Sequence, residues 1–313
     1  MPQARLVETG PATAPAARAE AIDLARRLPG LIVAAKQTAA SVMHGIHGRR
    51  RAGIGENFWQ FRPFVSGEAA ARVDWRRSGR DDRLFVREHE WEAAHVVWLW
   101  IDRSPSMGFV SDLARQPKID RALVLGLALA DLLARGGERV GFLGLTRPTA
   151  ARDIVERLSL ALQSQGAQNQ AAQSQAARGR APEELPPVEP LGPRMQAVLI
   201  SDFLSDAGEV EKAVNALSAR GARGALVTIA DPVEEAFPFA GHTEFVDVDS
   251  HARLRVGHAE SFREDYLARL AAHRDRIDRA ARGRGWSSLL HRTDRPASEA
   301  LLSLRMRLEG EAR

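Results

Sequence analysis

The chain has 313 residues, 44% of them hydrophobic and 27% charged, enough for one large or two modest domains with a buried core. It contains no cysteine, which excludes a disulfide framework, a zinc–thiolate site and a thiol nucleophile and is compatible with the cytoplasm. The isoelectric point near 10.2 reflects composition rather than a strong charge: the formal net charge is only +4, and little titrates between neutrality and the arginines, so a nucleic-acid partner is not expected.

Residues 1–20 are rich in Ala and Pro and lack the apolar core of a signal peptide, which predicts a disordered tail. Ala21 to about Met43 predicts a helix, with Pro29-Gly30 set to kink it. His47 to Gly55 is a basic loop flanked by glycines, and its glycines follow no strand, so it is no dinucleotide fingerprint. From Glu56 to Glu90, Phe58, Trp59, Phe61, Phe64 and Trp75 alternate with several arginines. That composition suits a small β-rich segment closed by Arg–Asp pairs and Trp packing; stacking on bases is the other use of such a pattern. Residues 21–92 are therefore expected to form an N-terminal helix and β-rich segment, and residues 93–313 a larger α/β domain.

Val96-Val97-Trp98-Leu99-Trp100-Ile101 is an apolar run without Gly or Pro, the signature of a strand buried on both faces. It ends in Asp102-Arg103-Ser104-Pro105-Ser106-Met107, where open α/β sheets bind ligands. Gln196 to Ile200 repeats the pattern and ends in Ser201-Asp202. If the two strands are neighbours, Asp102, Ser104, Ser106 and Asp202 meet at one edge, an oxygen-only set suited to Mg²⁺ or Mn²⁺.

Between these strands, Ile119 to Arg135 predicts a helix and Glu138 to Leu145 the next strand, the βαβ unit of a parallel sheet. Arg152 to Leu162 predicts a further helix, and residues 163–193, dominated by Gln, Ala, Ser and Pro, a flexible loop. After Asp202 come a helix over Glu209 to Arg220, a strand over Ala225 to Ala230 and the segment Asp231-Pro232-Val233-Glu234-Glu235, which reads either as a crevice lining or as a capped turn. A hairpin over Thr243 to Val256, a helix over Phe262 to Arg282, an edge strand over Trp286 to His291 and a helix from Pro296 complete the chain. The longest apolar stretch, Ala122 to Ala134, contains Asp131 and is too short for a membrane span.

The block Arg72-Val73-Asp74-Trp75, the strand Phe85-Val86-Arg87-Glu88-His89-Glu90 and the apolar strand ending in Asp102-Arg103-Ser104-Pro105-Ser106-Met107 together resemble the bacterial family called domain of unknown function 58. The resemblance implies a von Willebrand A-like (Rossmann-like) α/β fold: a mostly parallel sheet with helices on both faces, plus an N-terminal β-rich segment. It further implies a metal-ion-dependent adhesion site at Asp102, Ser104, Ser106 and Asp202 holding Mg²⁺ or Mn²⁺, with Arg103, Asp231 and Glu234 expected to face a partner. That pattern normally draws one more hydroxyl from a threonine, and no threonine lies between Ala150 and Val227. The partners implied are a MoxR-type AAA+ ATPase and its client proteins, in a non-enzymatic role in maturing or assembling other proteins. The residues leave open a Mg²⁺-dependent hydrolase or phosphotransferase, and a metal-free structural or interaction domain.

Overall fold

The computed structural model describes residues 4–5, 14–47, 58–65, 73–80, 83–89, 95–175, 185–246 and 253–311. The chain forms two compact units, one of residues 46–94 and one of residues 1–45 with 95–313.

The larger unit begins with β1 (Ala4–Arg5) and α1 (Ala14–His47). The helix starts seven residues ahead of the expected Ala21, includes residues assigned by sequence to the tail, and runs through Pro29. Its buried stripe of Leu28, Leu31, Ala35, Ala39 and Val42 follows helical spacing. Arg27 pairs with Asp120 and Lys36 with Glu156, so the helix is tied to residues far along the chain. These contacts place it with the α/β unit, whereas the sequence grouped it with the β-rich segment.

The smaller unit holds β2 (Phe58–Pro63), α2 (Trp75–Ser78) and β3 (Phe85–His89), with β2 and β3 antiparallel. Asp74 caps α2 by accepting from Arg77 N at 3.0 Å, and the Arg77 guanidinium lies 4.7 Å over the Phe85 ring. The basic loop from Gly48 lies outside the described residues.

The larger unit continues with β4 (Val96–Ile101), β5 (Val110–Ser111, paired antiparallel with β1), α3 (Lys118–Arg135), β6 (Arg139–Phe142) and α4 (Ile154–Gln175). Then come β7 (Met195–Ser201), α5 (Ala207–Ser218), β8 (Arg223–Ala230) and α6 (Pro232–Ala236). The hairpin of β9 (Thr243–Val246) and β10 (Arg253–Val256), α7 (Arg263–Arg282), β11 (Ser287–Arg292) and α8 (Ala297–Glu311) complete it. The helix α4 extends thirteen residues into the stretch 163–193 expected to be a loop. That extension is made of Ala, Gln, Ser, Asn and a single Gly with no Pro, and Ala and Gln are good helix formers.

Five strands form one sheet in the order β11-β8-β7-β4-β6, and every neighbouring pair is parallel. Both faces are covered, which is why the strands read as unbroken apolar runs. Trp100, Leu199 and Leu226 pack with Val210, Val214 and Leu217 of α5 and with Ile277 and Ala281 of α7. On the opposite face α3 approaches so closely that a Cβ on Gly126 would lie 2.7 Å from Ile101 Cδ1. The strand order reverses between β4 and β7: β6 lies on one side of β4, and β7, β8 and β11 follow on the other. Doubly wound sheets open a crevice at that switch point, outside the carboxyl ends of the strands. Among the described residues no helix is long and apolar enough to cross a membrane.

Candidate functional site

Asp102 directly follows β4 and Asp202 directly follows β7, so the two acids sit side by side at the switch point. Asp102 is 2% exposed. Its Oδ1 accepts from Ser104 N at 2.8 Å, which folds the loop back on itself, and its Oδ2 accepts from Ser201 Oγ at 2.6 Å across the sheet. Ser104 and Ser106 bring their hydroxyl oxygens to 3.0 Å from each other. Burial pushes the Asp102 carboxyl up to about 6; the Ser201 hydroxyl opposes this and the neighbouring Asp202 adds to it.

The loop after β7 is held in an unusual conformation. Phe203 adopts φ +48°, a left-handed backbone that a bulky residue rarely takes. Its N–H donates to Ser201 Oγ at 2.9 Å and its carbonyl accepts from His273 Nε2 at 2.8 Å. The result buries Phe203 and turns Leu204 outward, 48% exposed. Asp202, Phe203 and Leu204 line the rim of a cavity of about 280 Å³ that Leu226, His273 and Arg274 close from below.

Asp202 is also engaged by an internal cation. Its Oδ2 accepts from Lys118 Nζ at 2.7 Å, and the same ammonium donates to Glu234 Oε1 at 2.7 Å. Lys118 is 1% exposed and sits 5.8 Å over the Phe109 ring. Burial by itself pulls its pKa down; Asp202 and Glu234 outweigh that and hold its pKa above the ordinary lysine value. Burial also raises Glu234, with Lys118 pulling the other way.

Asp231 and Glu234, expected to face a partner, are turned inward. Asp231 has no exposed surface: it caps α6 by accepting from Val233 N at 2.9 Å, and it accepts from Ser111 N at 3.0 Å and from the Ser111 hydroxyl. Glu234 Oε2 accepts from Asp231 N at 2.8 Å, completing a capping box. The physical reason is that the Pro232 helix start needs a cap and the ammonium of Lys118 needs a second carboxylate. Arg103 is half-buried and lines a second cavity, of about 170 Å³, together with Trp100, Phe142 and Pro187.

The arrangement does not fit the expected divalent ion. A metal shared by Asp102, Ser104, Ser106 and Asp202 needs Asp202 turned to the common centre, whereas a buried ammonium already occupies the cation position on its Oδ2. Thr146, the nearest threonine behind β6, closes its own turn by accepting from Phe142 N at 2.9 Å. Among the described residues no three His, Asp or Glu side chains are grouped to hold a metal. Sequence reasoning gave no role to Lys118, Ser201 or Ser111, whose partners lie about a hundred residues away and leave no local pattern. The available signal was composition: Lys118 is one of three lysines in the chain and opens the most apolar helix.

Comparisons with known proteins bear on the same region. The model of the family described as "Protein of unknown function DUF58" matches residues 60–276. Uncharacterized proteins of Mycobacterium tuberculosis and Mycobacterium bovis are each 28% identical over 283 residues, spanning 87% of this chain and 86% of theirs. Among solved structures the chain is similar to an aerotolerance-related membrane protein from Bacteroides fragilis, at 15% identity and a TM-score of 0.39, over 69% of this chain and all of that one. It is also similar to the conserved hypothetical protein BatB from Bacteroides thetaiotaomicron, at 14% identity and a TM-score of 0.36, over 70% of this chain and 99% of that one.

Proposed function

Because the chain belongs to the DUF58 family of proteins of unknown function, we propose that it is a non-enzymatic protein-binding factor that captures its partner, without a metal, at the carboxyl edge of the parallel sheet. The observation that carries this reading is the buried Lys118–Asp202–Glu234 bridge, which commits the acids of the edge to internal partners. A hydrolase or phosphotransferase needs a metal-activated water or a nucleophile with a base beside it. Here both oxygens of Asp102 accept hydrogen bonds, the two serine hydroxyls bond to each other, and His273 donates to a backbone carbonyl. What the edge leaves for recognition is the surface of exposed Leu204 and the cavity beside it; half-buried Arg103 lines the neighbouring second cavity.

The partner in this reading is a MoxR-type AAA+ ATPase with its client proteins, the association that the resemblance of the Arg72 to Met107 region implies, and the setting is the cytoplasm. The experiment is a binding titration of the purified full chain against a purified, nucleotide-free MoxR-type ATPase in EDTA, with Leu204→Asp and Arg103→Glu as variants. Binding in EDTA that falls at least tenfold in Leu204→Asp supports the reading. Binding that appears only with added Mg²⁺, or that ignores both substitutions, overturns it.

A further inference from the structure

Lys118 occupies a place in the fold where a small cation does mechanical work. Its ammonium joins three separate pieces of the sheet edge: the start of α3, the end of β7 through Asp202, and α6 through Glu234. Asp202 and Glu234 are separated by 32 positions in sequence and would repel each other at this distance without it. Glu234 in turn holds the N–H of Asp231, and Asp231 holds Ser111. One buried charge thus fixes the loops after β4, β7 and β8 relative to each other. Two carboxylate oxygens converge on the one ammonium at 2.7 Å each, the length of a charge-assisted hydrogen bond, so the position between them is one that a cation holds.

We infer that the Lys118 ammonium is a built-in cation that replaces a divalent ion at this sheet edge, and that the position it fills is a latent divalent-cation site formed by Asp202 and Glu234. In the wild type the edge is assembled at any divalent-ion concentration. Removing the lysine side chain to Cβ leaves the buried Asp202 carboxylate and the half-buried Glu234 carboxylate around an empty position, and a Mn²⁺ or Ca²⁺ ion with its waters restores the balance. A longer apolar side chain fills the same space and admits no ion. This inference concerns assembly of the edge and stands whether or not a partner binds there.

The test uses the full chain as wild type, Lys118→Ala and Lys118→Met, melted in EDTA and in millimolar Mn²⁺ or Ca²⁺. The expected wild-type midpoint is unchanged by any of these within about 1 °C. In EDTA both variants melt lower by on the order of 10 °C, because buried Asp202 and half-buried Glu234 have lost their shared counter-charge. Metal then returns several degrees to Lys118→Ala and none to Lys118→Met. A wild type that binds Mn²⁺ in equilibrium dialysis, with binding abolished by Asp202→Asn, overturns the inference. So does a Lys118→Ala protein as stable as the wild type in EDTA, or one that metal does not stabilise. If Lys118→Ala is insoluble in EDTA, refolding it with Mn²⁺ replaces the melt: soluble protein only with metal supports the inference, and insolubility under both conditions overturns the latent site.

Discussion

Replacing Asp102 by Asn should stabilise the protein at neutral pH, against the intuition that a buried, hydrogen-bonded acid is a keystone. The folded carboxyl is pushed up to about 6 from an ordinary 3.8, so folding favours the protonated form. The stability this represents is complete below pH 3.8 and lost as the pH rises through 6. A shift of about two units is worth about 3 kcal/mol at pH 7.5. Asn removes that charge and keeps an oxygen for Ser104 N. Its amide then donates to Ser201 Oγ, which already accepts from Phe203 N, so the Ser201 hydroxyl loses its acceptor at a cost of about 1 kcal/mol. The net expectation is a gain of about 2 kcal/mol at pH 7.5 that vanishes near pH 4. Urea unfolding of both proteins at pH 4, 5.5 and 7.5 measures it. A variant that is destabilised equally at all three values would refute the reasoning, because the carboxylate would then be stabilised by the site rather than strained in it.

Other perturbations probe separate parts of the structure. Gly224→Ala puts a Cβ 2.2 Å from the Ala197 carbonyl oxygen and 3.0 Å from the Trp286 ring, so a loss of about 3 kcal/mol is expected in denaturant melts, and a neutral outcome would contradict the close β7–β8 packing. Asp231→Ala strips acceptors from Ser111 N and Val233 N in a fully buried position; at about 1–3 kcal/mol for each orphaned donor the loss should be about 4 kcal/mol, and one below about 1 kcal/mol would mean that the loop re-forms around water. Burial, with Arg121 alongside, pushes His291 down to about 4 from 6.5, so the wild type should lose about 3 kcal/mol through this residue as pH falls from 6.5 to 4, with no further loss below. A His291→Gln protein should lack that slope, and parallel stability–pH curves for the two proteins would show that the residue is not buried neutral.

The parallel sheet was legible because its strands are buried on both faces: Val96 to Ile101 and Ala197 to Ile200 have no polar alternation to confuse with a solvated strand, and each stops at an acid. The meeting of Asp102 and Asp202 followed from that topology alone. What those acids do was not legible. The ammonium on Asp202 comes from a residue 84 positions away and the hydroxyl on Asp102 from one 99 positions away, and neither spacing produces a periodicity. The segment at Asp231 is instructive in another way. Both of its sequence readings, crevice acid and capped turn, use the same residues, and only the depth of β8 in the sheet decides for the cap. The extent of α4 was missed because low complexity was equated with irregular structure, although a stretch of Ala and Gln has nothing in it to break a helix.

The placement of α1 has a consequence for synthesis. This helix leaves the ribosome ahead of the residues it packs against, with Leu28, Leu31, Ala35, Ala39 and Val42 along one side. The residues that tie it down, Asp120 and Glu156, are made roughly a hundred residues later, after the whole 46–94 unit has been translated. At about 5–20 residues per second the stripe waits on the order of ten seconds for its final contacts. The nascent chain therefore passes through a stage in which an amphipathic helix is complete and unsheltered, and the inserted unit sets how long that stage lasts.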